Sequence, residues 1–301
     1  MRIRPAREED TEAVAAFTRD TWDRYENGDY MSRIFPKWAT EEGPGQQTFV
    51  TEREGTPIGL VRSVLLSEHE AWFQGLRVDP AHRNEGVGRD LIHAAFDWAQ
   101  DAGATVGRAM VFSWNVMGLG LTRAAGFDPG VEFRWAHPEP DAEAPIEDTT
   151  SASPNAAWSY WQQSTERETL AGLALDDEVP WALSELTRVD LETAADTESL
   201  LAIERDRIVA MAPRVRVVDR ESEAGEPRWA EYGVAAWEDL AAAGDLMNAI
   251  ARDAAEVGAD RTRVLVPETS RAVTDVAAHR IELGEEPDFV LRVDLTRSAW
   301  D

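Results

Sequence analysis

Apolar and polar positions along the first 137 residues predict strands and helices in a fixed order. Residues 1–5 read as a strand. Glu8, Glu9, Asp10 and Thr11 then place hydrogen-bond acceptors at a helix start, and Ala13, Val14, Ala16 and Phe17 give that helix an apolar face. From 22 to 45 the chain is irregular and aromatic, with Trp22, Tyr25, Tyr30, Phe35 and Trp38. Residues 49–53 and 58–66, separated by Glu54-Gly55-Thr56-Pro57, predict a hairpin, and 70–78 the next strand. Over 86–103, Leu91, Ala94, Ala95, Trp98 and Ala99 recur at helical spacing until Gly103 ends the run. A buried-type strand at 106–112 and a helix at 115–125 follow, closed by Gly126-Phe127.

Residues 138–154 are rich in Pro, Glu, Asp, Ser and Thr and predict a linker. Beyond it, an offset of 155 residues pairs Ala94 with Ala249, Ala99 with Ala254, Gly103-Ala104 with Gly258-Ala259, Arg108 with Arg263 and Val111 with Val266. A helix at 244–258 and a strand at 263–266 are expected to repeat those of the first half. The expected organisation is a domain at 1–137, a linker at 138–154 and a degenerate copy at 155–301.

The 57 acidic and 30 basic residues give a net charge of −27, and Lys37 is the only lysine. Binding phosphate backbones or anionic membranes needs a basic face, so nucleic acid and membrane partners are not expected. An acidic, lysine-poor surface suits molar salt, where repulsion is screened within ~3 Å, and a halophilic, cytoplasmic protein is the expectation. There are no cysteines, hence no disulfide framework and no thiol nucleophile. No apolar run approaches a membrane span, and the start Met1-Arg2-Ile3-Arg4-Pro5 has no signal-peptide core. His69, His82, His93, His137 and His279 show no metal-ligand spacing, so no metal is expected.

The stretch that carries chemistry is Arg83-Asn84-Glu85-Gly86-Val87-Gly88, between a strand and a helix. A helix start offers four unpaired N–H groups and the positive end of the dipole. Gly86 and Gly88 remove the Cβ atoms that would hold a ligand off those donors, and Arg83 adds a planar cation suited to phosphate oxygens. These features make a pyrophosphate cradle.

The loop resembles the acetyl-CoA loop of the GNAT N-acetyltransferases, with its pattern (Arg/Gln)-x-x-Gly-x-(Gly/Ala). Arg4-Pro5-Ala6 with Asp10, the hairpin, Val78-Asp79-Pro80 and the later Asn115 and Gly126-Phe127 match the same family over residues 1–137. The resemblance implies an α+β fold, a mixed, mostly antiparallel sheet flanked by helices, repeated in tandem. It also implies acetyl-CoA as cosubstrate and transfer to a primary amine, on a small molecule or on a protein N-terminus or lysine. By the same resemblance, backbone groups around Leu76 to Val78 pair with the pantetheine amides. The N–H groups of Arg83, Asn84, Glu85, Gly86, Val87, Gly88 and Arg89 take the pyrophosphate, and Asn115 meets the pantetheine arm. In the second half the offset sets Glu238-Asp239-Leu240-Ala241-Ala242-Ala243 against the loop, so no second cofactor site is expected.

The proton-handling groups are less regular. Where many members carry a glutamate on the fourth strand, this chain has Trp72 and Gln74. Glu70 shares the parity of Gln74 and is the candidate base, with His69 as the alternative. The family's tyrosine, four residues before the Gly of Gly-Phe, falls on Thr122, whose hydroxyl is a short and feeble acid. Two functions remain open at this point: an N-acetyltransferase working by direct transfer, since no cysteine is available, and a CoA-binding sensor or scaffold without turnover.

Overall fold

The computed structural model describes residues 1–19, 21, 29–41, 43–146, 149–150, 153–219 and 227–297. The chain forms two compact units, Met1–Pro129 with Val290–Asp301, and Gly130–Phe289. The boundary therefore falls at the start of the strand Asp128–His137, not within 138–154, and the end of the chain belongs with its beginning.

The first unit contains β1 (Arg2–Pro5), α1 (Thr11–Thr18), α2 (Met31–Thr40), β2 (Gln46–Arg53), β3 (Thr56–Leu65), β4 (Glu70–Val78), α3 (Val87–Asp101), β5 (Val106–Phe112) and α4 (Val116–Ala124). Its strands pair in the order β1-β2-β3-β4-β5, all antiparallel except β4 with β5, and the C-terminal strand lies beyond β5. The Arg-Pro-Ala-x-x-x-Asp start has a mechanical reason. Arg4 on β1 donates two hydrogen bonds of 2.8 Å to Asp10, whose carboxylate also accepts from the Arg7 N–H at 2.8 Å. Burial pushes the Asp10 carboxyl up, but the Arg4 guanidinium and the Arg7 N–H outweigh it and hold it below its ordinary value. Of the expected apolar stripe of α3, Leu91, Ala95 and Ala99 are buried while Ala94 and Trp98 are half-buried, and Ile92 and Phe96 complete the buried face. Phe73, Phe96 and Phe127 meet edge-on beneath it with centroids 5.1 to 6.1 Å apart. Each such ring, fully buried, is worth ~1.5–3 kcal/mol. Phe35 and Trp38 belong to a second buried cluster with Met31 and Val50, whereas Trp22 and Tyr25 lie outside the described residues.

The second unit runs through β6 (Asp128–His137), β7 (Thr149–Thr150), α5 (Pro154–Trp161), α6 (Thr165–Thr169), β8 (Leu173–Leu175), β9 (Leu183–Glu185), α7 (Arg188–Asp196), β10 (Leu200–Glu204), β11 (Ile208–Asp219), β12 (Arg228–Tyr232), β13 (Ala236–Trp237), α8 (Leu240–Glu256), β14 (Arg261–Pro267), α9 (Ser270–Ala278), β15 (Glu282–Leu283) and into β16 (Asp288–Asp294). Its sheet has the order β7-β10-β11-β12-β14-β6 and again contains a parallel pair, β12 with β14, while β8 and β9 form a separate hairpin. The helix and strand expected at 244–258 and 263–266 are α8 and β14, each somewhat longer than the alanine matches indicated. The segment after His137 is less free than its composition suggests. Asp141 N–H donates to the Ala251 carbonyl at 3.0 Å, Asn248 donates to that of Pro145 at 2.6 Å, and Ala144 is buried.

Glu231 is fully buried between two guanidinium groups, Arg216 and Arg263, each 3.0 Å away, and Arg263 stands against Trp135 and Trp181. Asp288 is also buried, close enough to feel the charge of Arg263. Burial raises its carboxyl from 3.8 to about 6, against the stabilising N–H of Trp135 at 3.1 Å. A folded value above the unfolded one means a contribution present at low pH and lost as pH rises through about 6. Asp288→Asn should therefore match the parent near the unfolded value and exceed it by ~2–3 kcal/mol above the folded one. Paired denaturant titrations across that range measure the difference, and a constant offset would show that Asp288 does not titrate as described.

Candidate functional site

The site is built where β4 parts from β5. The parallel register runs Glu70↔Val106, Ala71↔Gly107 and Trp72↔Arg108 and goes no further, although β4 continues to Val78 and β5 to Phe112. The cause is visible on the other side of β4. Its pairing with β3 shifts between Leu60↔Arg77 and Arg62↔Gln74, so Gly75 and Leu76 together face Val61. Such a bulge bends a strand and leaves backbone groups outside the ladder. Gly75 is required twice over, because its φ is +69° and a Cβ would sit 2.4 Å from the Trp38 ring. Leu76 and Val78 are both half-buried in the diverging part. Beside the bulge, Arg77 donates from Nε and Nη2 to the buried Asp29, which also accepts from the Met31 N–H at 3.0 Å. That pair ties the approach to α2 onto β4. A lone glycine inside a strand pattern is a bulge signal, and Gly75 could have been read that way from the sequence.

Below the opening, Asp79 accepts from the Ala81 N–H at 2.9 Å and turns the chain into the glycine loop. Asn84 and Gly86 take φ of +64° and +87°. Gly86 is the N-cap of α3 and offers no side-chain oxygen to its N–H groups; the first intrahelical bond is Asp90 N–H to the Gly86 carbonyl at 3.0 Å. In contrast, α4 to α9 are each capped by an Asn, Ser, Thr or Asp side chain. Four donors at the positive end of a 15-residue helix are thus left open. Gly88 brings α3 against α4, where a Cβ would lie 2.7 Å from Leu121.

The charges around the loop are sorted. Glu85, a potential repulsive group, is paired with Arg53 at 2.9 Å and lies 3.6 Å from His82. Asp79 is used by its turn. Arg83 is half-buried and Arg89 exposed, and neither has an ion-pair partner among the described residues. Asn115 is the N-cap of α4 and accepts from the Gly118 N–H at 2.9 Å.

The expected proton-handling groups are placed differently. Glu70 is 3 % exposed, accepts from Arg108 and from Ser67 at 3.1 Å, and stands where β4 and β5 are still paired. A carboxylate so committed, before the strands diverge, is not a base facing the opening; parity alone misled because the bulge at Gly75 intervenes between it and the loop. His69 is exposed at the far end of the strand. Thr122 is buried and donates to the Gly118 and Leu119 carbonyls of its own helix, so its hydroxyl is not free to act as an acid. Gln74 is half-buried one residue before the bulge.

A bulged fourth strand, a parallel neighbour that leaves it and a glycine-opened helix between them define a fold of the GNAT type. Residues 11–127 match the model of the Acetyltransferase (GNAT) family, and this part of the chain is a GNAT domain. A curated relative, the "Uncharacterized N-acetyltransferase in lysA 3'region" of Bacillus methanolicus, is 28% identical over 67 residues, 22% of this chain; the match spans about half, 54%, of that relative. Over nearly the whole chain the fold resembles a GCN5-related N-acetyltransferase from Sphaerobacter thermophilus (TM-score 0.59, 14% identity, 98% of this chain and 95% of that one). It also resembles a putative acetyltransferase from Thermoplasma acidophilum (TM-score 0.57, 13% identity, 98% and 100%). At such identities the likeness concerns fold alone.

Proposed function

We propose that the first unit binds acetyl-CoA and transfers its acetyl group directly to a primary amine, on a small molecule or on a protein N-terminus or lysine. The observation that carries this reading is the open N-terminus of α3, left uncapped by Gly86 and flanked by Arg83 and Arg89, which have no ion-pair partner among the described residues. The cosubstrate supplies the activated acetyl thioester. Backbone N–H groups from Arg83 to Arg89 hold its pyrophosphate, Leu76 and Val78 offer main-chain groups to its amides, and Asn115 lies beside that path. Gln74 can accept a hydrogen bond from the incoming amine without gaining charge. With no cysteine in the chain, transfer proceeds without a thioester on the protein.

The second reading is a CoA-binding sensor without turnover, favoured by the engagement of Glu70 with Arg108 and of Thr122 with its own helix. Thiol release from acetyl-CoA across an amine panel in molar KCl separates the two. An enzyme gives amine-dependent release, whereas a sensor binds and releases none.

We further infer that the second unit is a degenerate GNAT-like copy and that the chain works in a saline cytoplasm. The shared order of strands and the parallel pair β12 with β14 support the first point. The charge of −27 supports the second. Among the described residues no helix is long and apolar enough to cross a membrane. Crowded carboxylates repel over ~10 Å at 0.1 M salt and far less at 1 M. The melting temperature should therefore rise between dilute buffer and molar KCl, and a flat or falling trend would remove the halophilic reading.

A further inference from the structure

The second unit holds a cleft of about 920 Å³ formed by α5, α6, the turn between β10 and β11, the end of β13 and the start of α9. It is bordered by Trp237 and Glu238, the residues to which the 155-residue offset carries His82 and Arg83 of the glycine loop. It is nevertheless not a copy of that loop. α8 begins at Leu240, two residues ahead of the place to which the 155-residue offset carries Val87. Asp239 accepts from the Ala242 N–H at 2.8 Å and so occupies the helix start. Arg205, then the Ala242 N–H, hold the Asp239 carboxyl below its ordinary value, so it stays charged and repels phosphate.

Hydrogen-bonding capacity in the cleft is lopsided. Both arginines are spent. Arg271 donates to Glu166 at 2.8 Å and to the carbonyls of Trp237 and Glu238, and Arg207 donates to Glu238 at 2.7 Å. What remains is acceptor-rich. Glu204 and Asp206 have no ion-pair partner among the described residues. The Tyr160 hydroxyl is buried with no hydrogen-bond partner, and burial pushes its pKa up, so that it stays a neutral phenol. A buried polar group without a partner is costly and marks a place where a ligand or water completes the bond. Ile208 and Ala156 add apolar surface between these groups.

We infer that this cleft is a binding site for a small ammonium-bearing ligand with an aliphatic body. An ammonium brings three donors and no acceptor, the complement of Glu204, Asp206 and the Tyr160 hydroxyl. Its charge offsets the two carboxylates that the arginines leave uncompensated. A dicarboxylate would find no free cation, and a CoA pyrophosphate would meet Asp239. The volume is in the range of small-molecule sites, ~300–1,000 Å³.

Calorimetry of the full chain with putrescine, and with succinate as the anionic counterpart, tests the assignment. The expected result is putrescine binding that survives Gly86→Asp, with no succinate binding. It should weaken at least roughly tenfold in the Glu204→Gln, Asp206→Asn double variant, the loss typical of charge-assisted bonds. Tyr160→Phe, which keeps the ring, should weaken it by a smaller factor. Absence of putrescine binding, affinity unchanged in the double variant, or preference for succinate would each overturn the inference. Circular dichroism of both variants, whose changes lie at the end of β10, the turn after it and one hydroxyl, guards against reading misfolding as lost binding.

Discussion

Gly86→Asp should abolish acetyl-CoA binding while leaving the chain folded. A Cβ at Gly86 meets nothing within 4 Å, so the substitution is sterically open, although φ of +87° strains any residue with a side chain. That strain is ~1–2 kcal/mol and falls on stability. The effect on binding is larger, because the new carboxylate stands at the helix terminus that would receive the pyrophosphate. Unit charges 4 Å apart near a protein surface interact by ~4 kcal/mol, which corresponds to a loss of roughly a hundredfold to a thousandfold in affinity. Gly86→Asn, isosteric but neutral and tolerant of positive φ, should lose far less. Calorimetry on the parent should give one site. Equal binding by the folded Asp variant would displace the cradle from this loop. A stoichiometry of two would make the second unit a working cofactor domain despite its Asp239 cap.

The largest loss of stability is expected from Glu231→Gln. Glu231 is fully buried and compensates both Arg216 and Arg263. Neutralising it removes the carboxylate that bridges the two guanidinium groups. Breaking a buried ion pair from one side costs ~3–5 kcal/mol. Part of that cost is softened by the indole faces of Trp135 and Trp181, whose centroids lie 4.4 and 4.0 Å from the Arg263 guanidinium carbon. Denaturant unfolding monitored by tryptophan fluorescence measures the effect. A loss below about 1 kcal/mol, the range of exposed pairs, would mean that water reaches the arginines.

The sequence was legible wherever a local rule decides the structure. The strand and helix order of the first half apart from α2, which falls where the sequence reads as irregular, the edges of β4 and β5, and the stripe Leu91, Ala95, Ala99 follow from periodicity and from Gly103. The glycine loop was legible because Gly86 and Gly88 have a backbone reason to be glycine. The base was not. Glu70 has the right parity along β4, but its fate depends on Arg108, 38 residues away, and on a bulge that only the pairing with β3 reveals. Pairing partners distant in sequence leave no trace in periodicity, so Asp29 with Arg77 and the return of residues 290–294 to the first unit were equally hidden. Composition failed for 138–146 for a related reason. Polar, proline-rich chain looks unanchored until the carbonyl of Ala251 and the side chain of Asn248 are seen to take up its backbone groups.

The return of the last strand has a consequence for how the protein is made. Leu295 N–H donates to the Thr105 carbonyl at 2.9 Å, Gln100 donates to the Leu295 and Arg297 carbonyls, and Val293 closes over Gly107. Translation reaches Pro129 long before it reaches Val290, at ~5–20 residues per second. For those seconds the nascent first unit has every residue of its glycine loop but presents β5 as an unpaired edge, the surface that seeks other strands. Completion of the first unit's sheet therefore waits until residues 290–294 have been made, and a ribosome that stalls midway leaves an intermediate with an exposed strand edge.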